Sequence, residues 1–196
     1  MTHDQHKQAP ISLPLFDELR GQRVVLRPLH ESDVQPYYEA IEESREHLRP
    51  WLSLADRYQS EADVLPFMRQ SMADWLVRKD MRLHIWDALS ERFLGGCGIH
   101  PQDWEIRSFE LGYWLRASAT GQGYVSEAIQ LLVNYLFDTL QAQRVTIRCD
   151  EDNHASAAVP RRLGFVYEGT TRNALTGPNG KLINVMIFSL IPSDRQ

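Results

Sequence analysis

At 196 residues, with 43% hydrophobic and 24% charged side chains, the chain has globular proportions and room for one ordinary domain. Its 21 Lys and Arg against 26 Asp and Glu leave a net charge of −5, which argues against a protein that lives on nucleic-acid backbones. No apolar run reaches about 18 residues, and the amino terminus lacks a basic start followed by an apolar stretch, so neither a membrane span nor a secretory signal is expected.

Residues 1–16 are polar, carry Pro10 and Pro14, and read as a loose arm; residues 1–19 are taken as flexible and 20–196 as one domain. The stretch 22–27 alternates as a strand that Pro28 closes. Ser32-Asp33-Val34-Gln35 has capping-box spacing, and a helical pattern follows through Tyr37, Ala40 and Ile41. Pro36 falls in the first turn, where a missing N–H costs little. The chain turns near 48–52. Val64, Phe67, Met68, Met72, Trp75 and Leu76 then share one face of a helix over about 60–77.

The period next changes to two. Residues 83–88 read as a strand, 90–92 as a hairpin turn, and 93–99 as a returning strand. Gly95, Gly96 and Gly98 inside that strand point to a bulge or a close neighbour. Residues 109–115 form a third strand. Ala128, Leu131, Leu132, Tyr135, Leu136 and Leu140 recur as one face of an amphipathic helix. A strand over 145–149, a short helix over 153–163 containing Pro160, and strands near 165–168 and 185–190 complete the chain. Three consecutive strands favour antiparallel hairpins, and the later strand-helix-strand run favours a parallel crossover. The expected fold is α/β (α+β), a mixed, mostly antiparallel central sheet flanked by helices.

The segment richest in chemistry is 113–128, where a strand runs into a loop with Gly121 and Gly123 and a helix starts directly after. Glycines let several N–H groups point at one place, and the first helical turn adds unpaired N–H groups and the positive end of its dipole. A phosphate cradle is one reading and a plain change of direction the other. No Lys follows as in a Walker loop, and the third glycine of a dinucleotide fingerprint is missing. Cys97 and Cys149 are too few for a disulfide framework or a Cys-based zinc site and suit a reducing cytoplasm. The seven His show no metal-ligand spacing, so no metal is expected. His84 and His100 fall on strands, where a lone His is more often a hydrogen-bonded core residue than a catalyst.

Thr120-Gly121-Gln122-Gly123-Tyr124-Val125 resembles the acetyl-CoA loop of the GNAT superfamily of N-acetyltransferases, whose pattern is Q/R-x-x-G-x-G/A. Thr120 and Val125 depart from that pattern without removing a backbone donor. The run Glu110-Leu111-Gly112-Tyr113-Trp114-Leu115 resembles the RimJ/RimL branch. So do Ile147-Arg148-Cys149 with Asn153 and Ser156, Arg162-Leu163-Gly164-Phe165 with Glu168-Gly169, and the stretch 45–52. The likeness spans about 20–191.

What the resemblance implies is a GNAT fold and direct transfer of acetyl from acetyl-CoA, without a metal, to an amine acceptor. Trp114 and Leu115 would lie along pantetheine, residues 120–125 would hold the pyrophosphate, and Asn153 would bond pantetheine while capping its helix. Ser156 would protonate the leaving thiolate, and Arg161 or Arg162 would meet the 3′-phosphate. Glu110 would take the amine proton through a water or bind a cationic amine; an ordinary surface Glu is the alternative. A glutamate that members of this branch carry past the Glu-Gly strand end is Leu175 here. The acceptor is expected to be a peptide N-terminus or a small α-amino compound. An antibiotic, toxin or polyamine acceptor, or a non-catalytic acyl-CoA sensor, stays open, as does a homodimer; no nucleic-acid or membrane partner is expected.

Overall fold

Strands β1 (Leu19–Arg20), β2 (Val24–Pro28), β3 (Met81–Asp87), β4 (Phe93–Asp103), β5 (Ser108–Leu115), β6 (Arg144–Asp150), β7 (Val166–Thr176) and β8 (Leu182–Leu190) form one sheet in a computed structural model that describes residues 10–195. Their order is β1-β2-β3-β4-β5-β6-β8-β7, and every neighbouring pair is antiparallel except β5 with β6. The mixed, mostly antiparallel sheet expected from the sequence is therefore the one found. Among the described residues five α-helices connect the strands: α1 (Val34–Leu48), α2 (Leu54–Arg57), α3 (Glu61–Leu76), α4 (Tyr124–Asn134) and α5 (His154–Arg162). Among the described residues no helix is long and apolar enough to cross a membrane.

Alternation along the strands assigns each face its helices. Leu83 and Ile85 of β3 and Leu111 of β5 are buried with Ala128, Ile129, Leu132 and Val133 of α4. On the opposite face, His84 and Trp86 lie against Tyr37 of α1 and Phe93, and Trp114 joins the same aromatic cluster. Val64 and Met68 of α3 close that side.

Three expectations are corrected. The arm is packed from Leu13 onward: Leu13, Leu15, Phe16 and Leu19 lie on the core, and the Phe16 ring meets Trp75 and Tyr135 edge-on at 5.1 and 4.7 Å. Residues 1–9 of that arm lie outside the described residues. The capping box is not made by Ser32 and Gln35. Asp33 turns back instead and accepts from the His30 N–H at 3.0 Å, at the end of a short 3-10 turn over Glu31–Asp33. Finally, the helix expected through Leu140 leaves α geometry at Asn134 and runs on as one wider π turn, Tyr135–Thr139.

Asp33 also anchors a buried charge cluster. Arg27 donates to its two oxygens at 2.7 and 2.8 Å, and His84 Nδ1 lies 2.9 Å from Oδ2. Burial pulls the His84 imidazole below its ordinary range despite Asp33, so it sits there neutral, donating from Nδ1. Burial pushes the Asp33 carboxyl upward, but the bonds from His84 and Arg27 outweigh this and hold it well below the usual range. The core reading of His84 is the one the structure bears out.

Candidate functional site

The parallel pair β5–β6 is short. Ser108, Phe109 and Glu110 face Arg144, Val145 and Thr146, and beyond them the two strands have no paired residues. The sheet thus opens between residues 111–115 and 147–150. Just past β5 the Arg116 N–H bonds the Leu94 carbonyl of β4 at 2.8 Å, so the even residues of β5 aim their backbone groups at β4. The odd residues Leu111, Tyr113 and Leu115 aim theirs into the gap. An amide or carbonyl group entering there meets backbone donors and acceptors that no strand occupies.

The gap leads to the glycine loop at the head of α4. Gly121 and Gly123 adopt φ of 72° and 83°, and Gly123 is the residue before the first helical turn. The N–H groups of Tyr124, Val125 and Ser126 are those an α-helix leaves without partners. Arg23 at the head of β2 braces the loop: Nη1 donates to the Gln122 carbonyl at 2.9 Å, while Nε and its backbone N–H bond Glu127. Thr120 Oγ1 bonds the Ala117 carbonyl at 2.8 Å, and Tyr124 Oη reaches Asp87 at 3.1 Å. Arg162 Nη1 donates to Ser126 Oγ at 2.8 Å, which puts one guanidinium beside the loop. Arg161 goes elsewhere, over the Phe188 ring.

On the far bank, Asn153 caps α5 by accepting from the Ser156 N–H at 2.9 Å. Ser156 Oγ donates to Tyr113 Oη at 3.2 Å, and Tyr113 Oη donates to the Ser156 carbonyl at 2.9 Å. These bonds tie the two banks of the gap together. Burial pushes the Tyr113 phenol up, so it stays a donor. It pushes the Cys149 thiol up too, against a contact with Ser156 that pulls it down. Tyr113 escaped the sequence reading, although its place two residues before Leu115 on an alternating strand was a usable signal. The Trp114 indole, expected along the cofactor, points to the opposite face and packs against Tyr37 and Phe93; Leu115 is the residue whose backbone faces the gap.

Glu110 ends the paired stretch. Arg148 Nε donates to its Oε2 at 2.8 Å, and Asp80 Oδ1 holds His100 Nδ1 at 2.7 Å on the same face. Beyond the end of β6, Thr171, Arg172, Asn173 and Asn184 line a cavity of about 810 Å³. Among the described residues no three His, Cys, Asp or Glu side chains converge on a metal position.

Residues 23–166 match the model of the acetyltransferase (GNAT) domain family. The chain is 30% identical to YdaF of Bacillus subtilis (strain 168), over 87% of this chain and 92% of that one. It is 27% identical to the ribosomal-protein-serine acetyltransferase of Escherichia coli (strain K12), over 76% and 82%. Among solved structures it superposes on the microcin C7 self-immunity acetyltransferase MccE, in complex with acetyl-CoA and AMP. The TM-score is 0.82, with 25% identity and coverage of 87% and 93%.

Proposed function

Because the chain belongs to the GNAT acetyltransferase family and is an acyltransferase that uses acetyl-CoA, we propose that it acetylates an α-amine, foremost a peptide N-terminus, in the cytoplasm. The observation that carries this reading is the open seam between β5 and β6 running into the Gly121–Gly123 loop. It suits a long, amide-bearing thiol ester with a pyrophosphate at one end. The loop N–H groups and the α4 dipole would take the pyrophosphate, with Arg162 beside them. The backbone groups of Leu111, Tyr113 and Leu115 would take pantetheine and polarise the acetyl carbonyl.

Ser156, backed by Tyr113, would return a proton to the thiolate as it leaves. Glu110 would attract the cationic amine. No carboxylate stands where Leu175 does to draw a proton from a strongly basic amine, which favours a low-pKa acceptor. An α-amine, near ~7.7–8.0, is partly neutral at pH 7, whereas a lysine near ~10.4 is not. The E. coli relative, whose name refers to a ribosomal-protein serine, favours a peptide.

The test is thiol release from acetyl-CoA with three probes: a hexapeptide beginning with Ser, serine amide, and spermidine. The peptide is expected to give the highest kcat/KM, and spermidine as the best acceptor would overturn the reading. With the peptide, Ser156→Ala should lower kcat by roughly tenfold to a hundredfold, at or below the low end of general-acid help, with the KM for acetyl-CoA almost unchanged. An unchanged kcat, with chemistry shown to limit the rate, would leave Ser156 a helix residue only.

A further inference from the structure

His100 does not project away from the sheet. It pairs across the strands with Glu110, yet its ring folds back over Gly98 of β4 and Gly112 of β5, which are themselves cross-strand partners. A Cβ on Gly98 would stand 3.2 Å from His100 Nε2, and one on Gly112 would stand 3.1 Å from it. Two adjacent missing side chains therefore make the berth in which the imidazole lies. Asp80 Oδ1 takes the Nδ1 hydrogen at 2.7 Å, and Arg82 Nε donates to Asp80 Oδ2 at 2.7 Å. Burial pushes the Asp80 carboxyl up, but the bond from His100 and the neighbouring charges outweigh it and keep the group ionised.

A proton fixed on Nδ1 leaves the Nε2 lone pair as an acceptor. That lone pair lies over Gly112, two residues beyond Glu110, where β5 parts from β6 and between the backbone groups of Leu111 and Tyr113 that face the gap. The ring is 35% exposed, so it is reachable from solvent. The pairing of a half-buried orienting carboxylate with a reachable imidazole, near the closed end of the seam, is a base-and-orienter geometry.

We infer that Asp80 and His100 form the base dyad of this enzyme, an inference that rests on the α-amine reading above. The amine nitrogen forms its C–N bond to the acetyl carbonyl carbon, and its proton passes to His100 Nε2, directly or through one water. The C–S bond then breaks with its electron pair on sulfur, which takes the Ser156 Oγ proton while Oγ takes one back from a solvent water, and His100 returns the amine's proton to solvent. Asp80 is a positioning residue. Glu110, with Oε2 bonded to Arg148, orients the incoming amine.

The test uses the full chain, acetyl-CoA and the same three probes. His100→Ala should cost at least about a hundredfold in kcat/KM for the amine and leave acetyl-CoA affinity unchanged. Added imidazole should restore turnover in proportion to its concentration, which a structural role would not allow. Asp80→Asn should lose about tenfold without rescue. His100→Gln, which fills the berth, keeps the experiment decisive if the alanine variant is unstable, and should be equally slow. Activity within threefold of wild type in either His100 variant, or a folded His100→Ala that imidazole does not rescue, would overturn the dyad. A wild type that binds acetyl-CoA but acetylates none of the probes would instead overturn the α-amine reading, and the dyad with it.

Discussion

Gly123→Val abolishes acetyl-CoA binding in a protein that still folds. Gly123 sits at φ 83°, and a Cβ there would stand 3.3 Å from the Arg23 guanidinium that braces the loop. A left-handed L-residue costs about 1–2 kcal/mol, which a domain with about 5–15 kcal/mol to spare survives. The site does not survive it. The loop must either swing its N–H groups away from the pyrophosphate position or place a branched side chain against it. Calorimetric titration should show no binding at acetyl-CoA concentrations a hundredfold above the wild-type Kd. Gly180→Ala is the control: its φ is 78° with open space around it, and it carries the same kind of strain in the turn between β7 and β8. It should bind as wild type does. Wild-type affinity in a folded Gly123→Val would remove the loop from the cofactor site.

The second large effect is on stability. Asp33→Asn keeps the shape of the side chain and removes the charge that Arg27 and His84 share. Breaking one partner out of a buried ion pair typically costs about 3–5 kcal/mol, and the partly exposed Arg27 left behind here puts the cost at the low end of that range. For a chain of this size that is a fall in Tm of roughly 10 °C. A Tm within 2 °C of wild type would show that the cluster relaxes freely.

The same cluster sets a pH dependence. The folded His84 holds its proton less tightly than the unfolded chain does, so the unfolded state binds more protons below the ordinary value of 6.5. The contribution is present above that pH and lost as pH falls below it. Asp33, also lowered, adds its own loss only in stronger acid, below its ordinary 3.8. Urea unfolding at pH 7.5 and 5.5 should therefore already show lower stability at 5.5, and His84→Phe should flatten that difference. An unchanged slope in the variant would place the effect elsewhere.

The features legible in the sequence are local ones. The glycine loop and the helix after it are fixed by adjacent residues, and Asn153 caps α5 three positions before its partner Ser156. The apolar period of α4 needed no knowledge of what it packs against. The features that escaped depend on register between distant segments. The bond from Tyr113 to Ser156 spans 43 positions, and His100 finds its berth only once β4 is paired with β5. Gly96 and Gly98 did signal a close neighbour, and the neighbours are the Trp114 indole, 2.6 Å from where a Gly96 Cβ would stand, and the His100 ring. The identity of those neighbours could not be read from the glycines themselves. Phe16 was missed for the same reason, since its partners Trp75 and Tyr135 lie 59 and 119 positions away.

The open seam between β5 and β6 also answers a problem of solubility. Unpaired backbone along a strand is a template on which another chain can add, and proteins usually blunt such edges with charge, proline or a covering helix. Here two bare edges face each other inside a sheet. Each would need a guest about 4.8 Å away, so an inserted strand requires roughly twice that width along its whole length. A wedge that closes to a paired register at Glu110 and Thr146 never offers this. It is wide enough at its mouth for a single unbranched chain and too narrow at its root for a second polypeptide. The taper thus acts as a filter on thickness: it keeps foreign strands out while leaving hydrogen-bonding groups exposed to a slender amide-bearing guest.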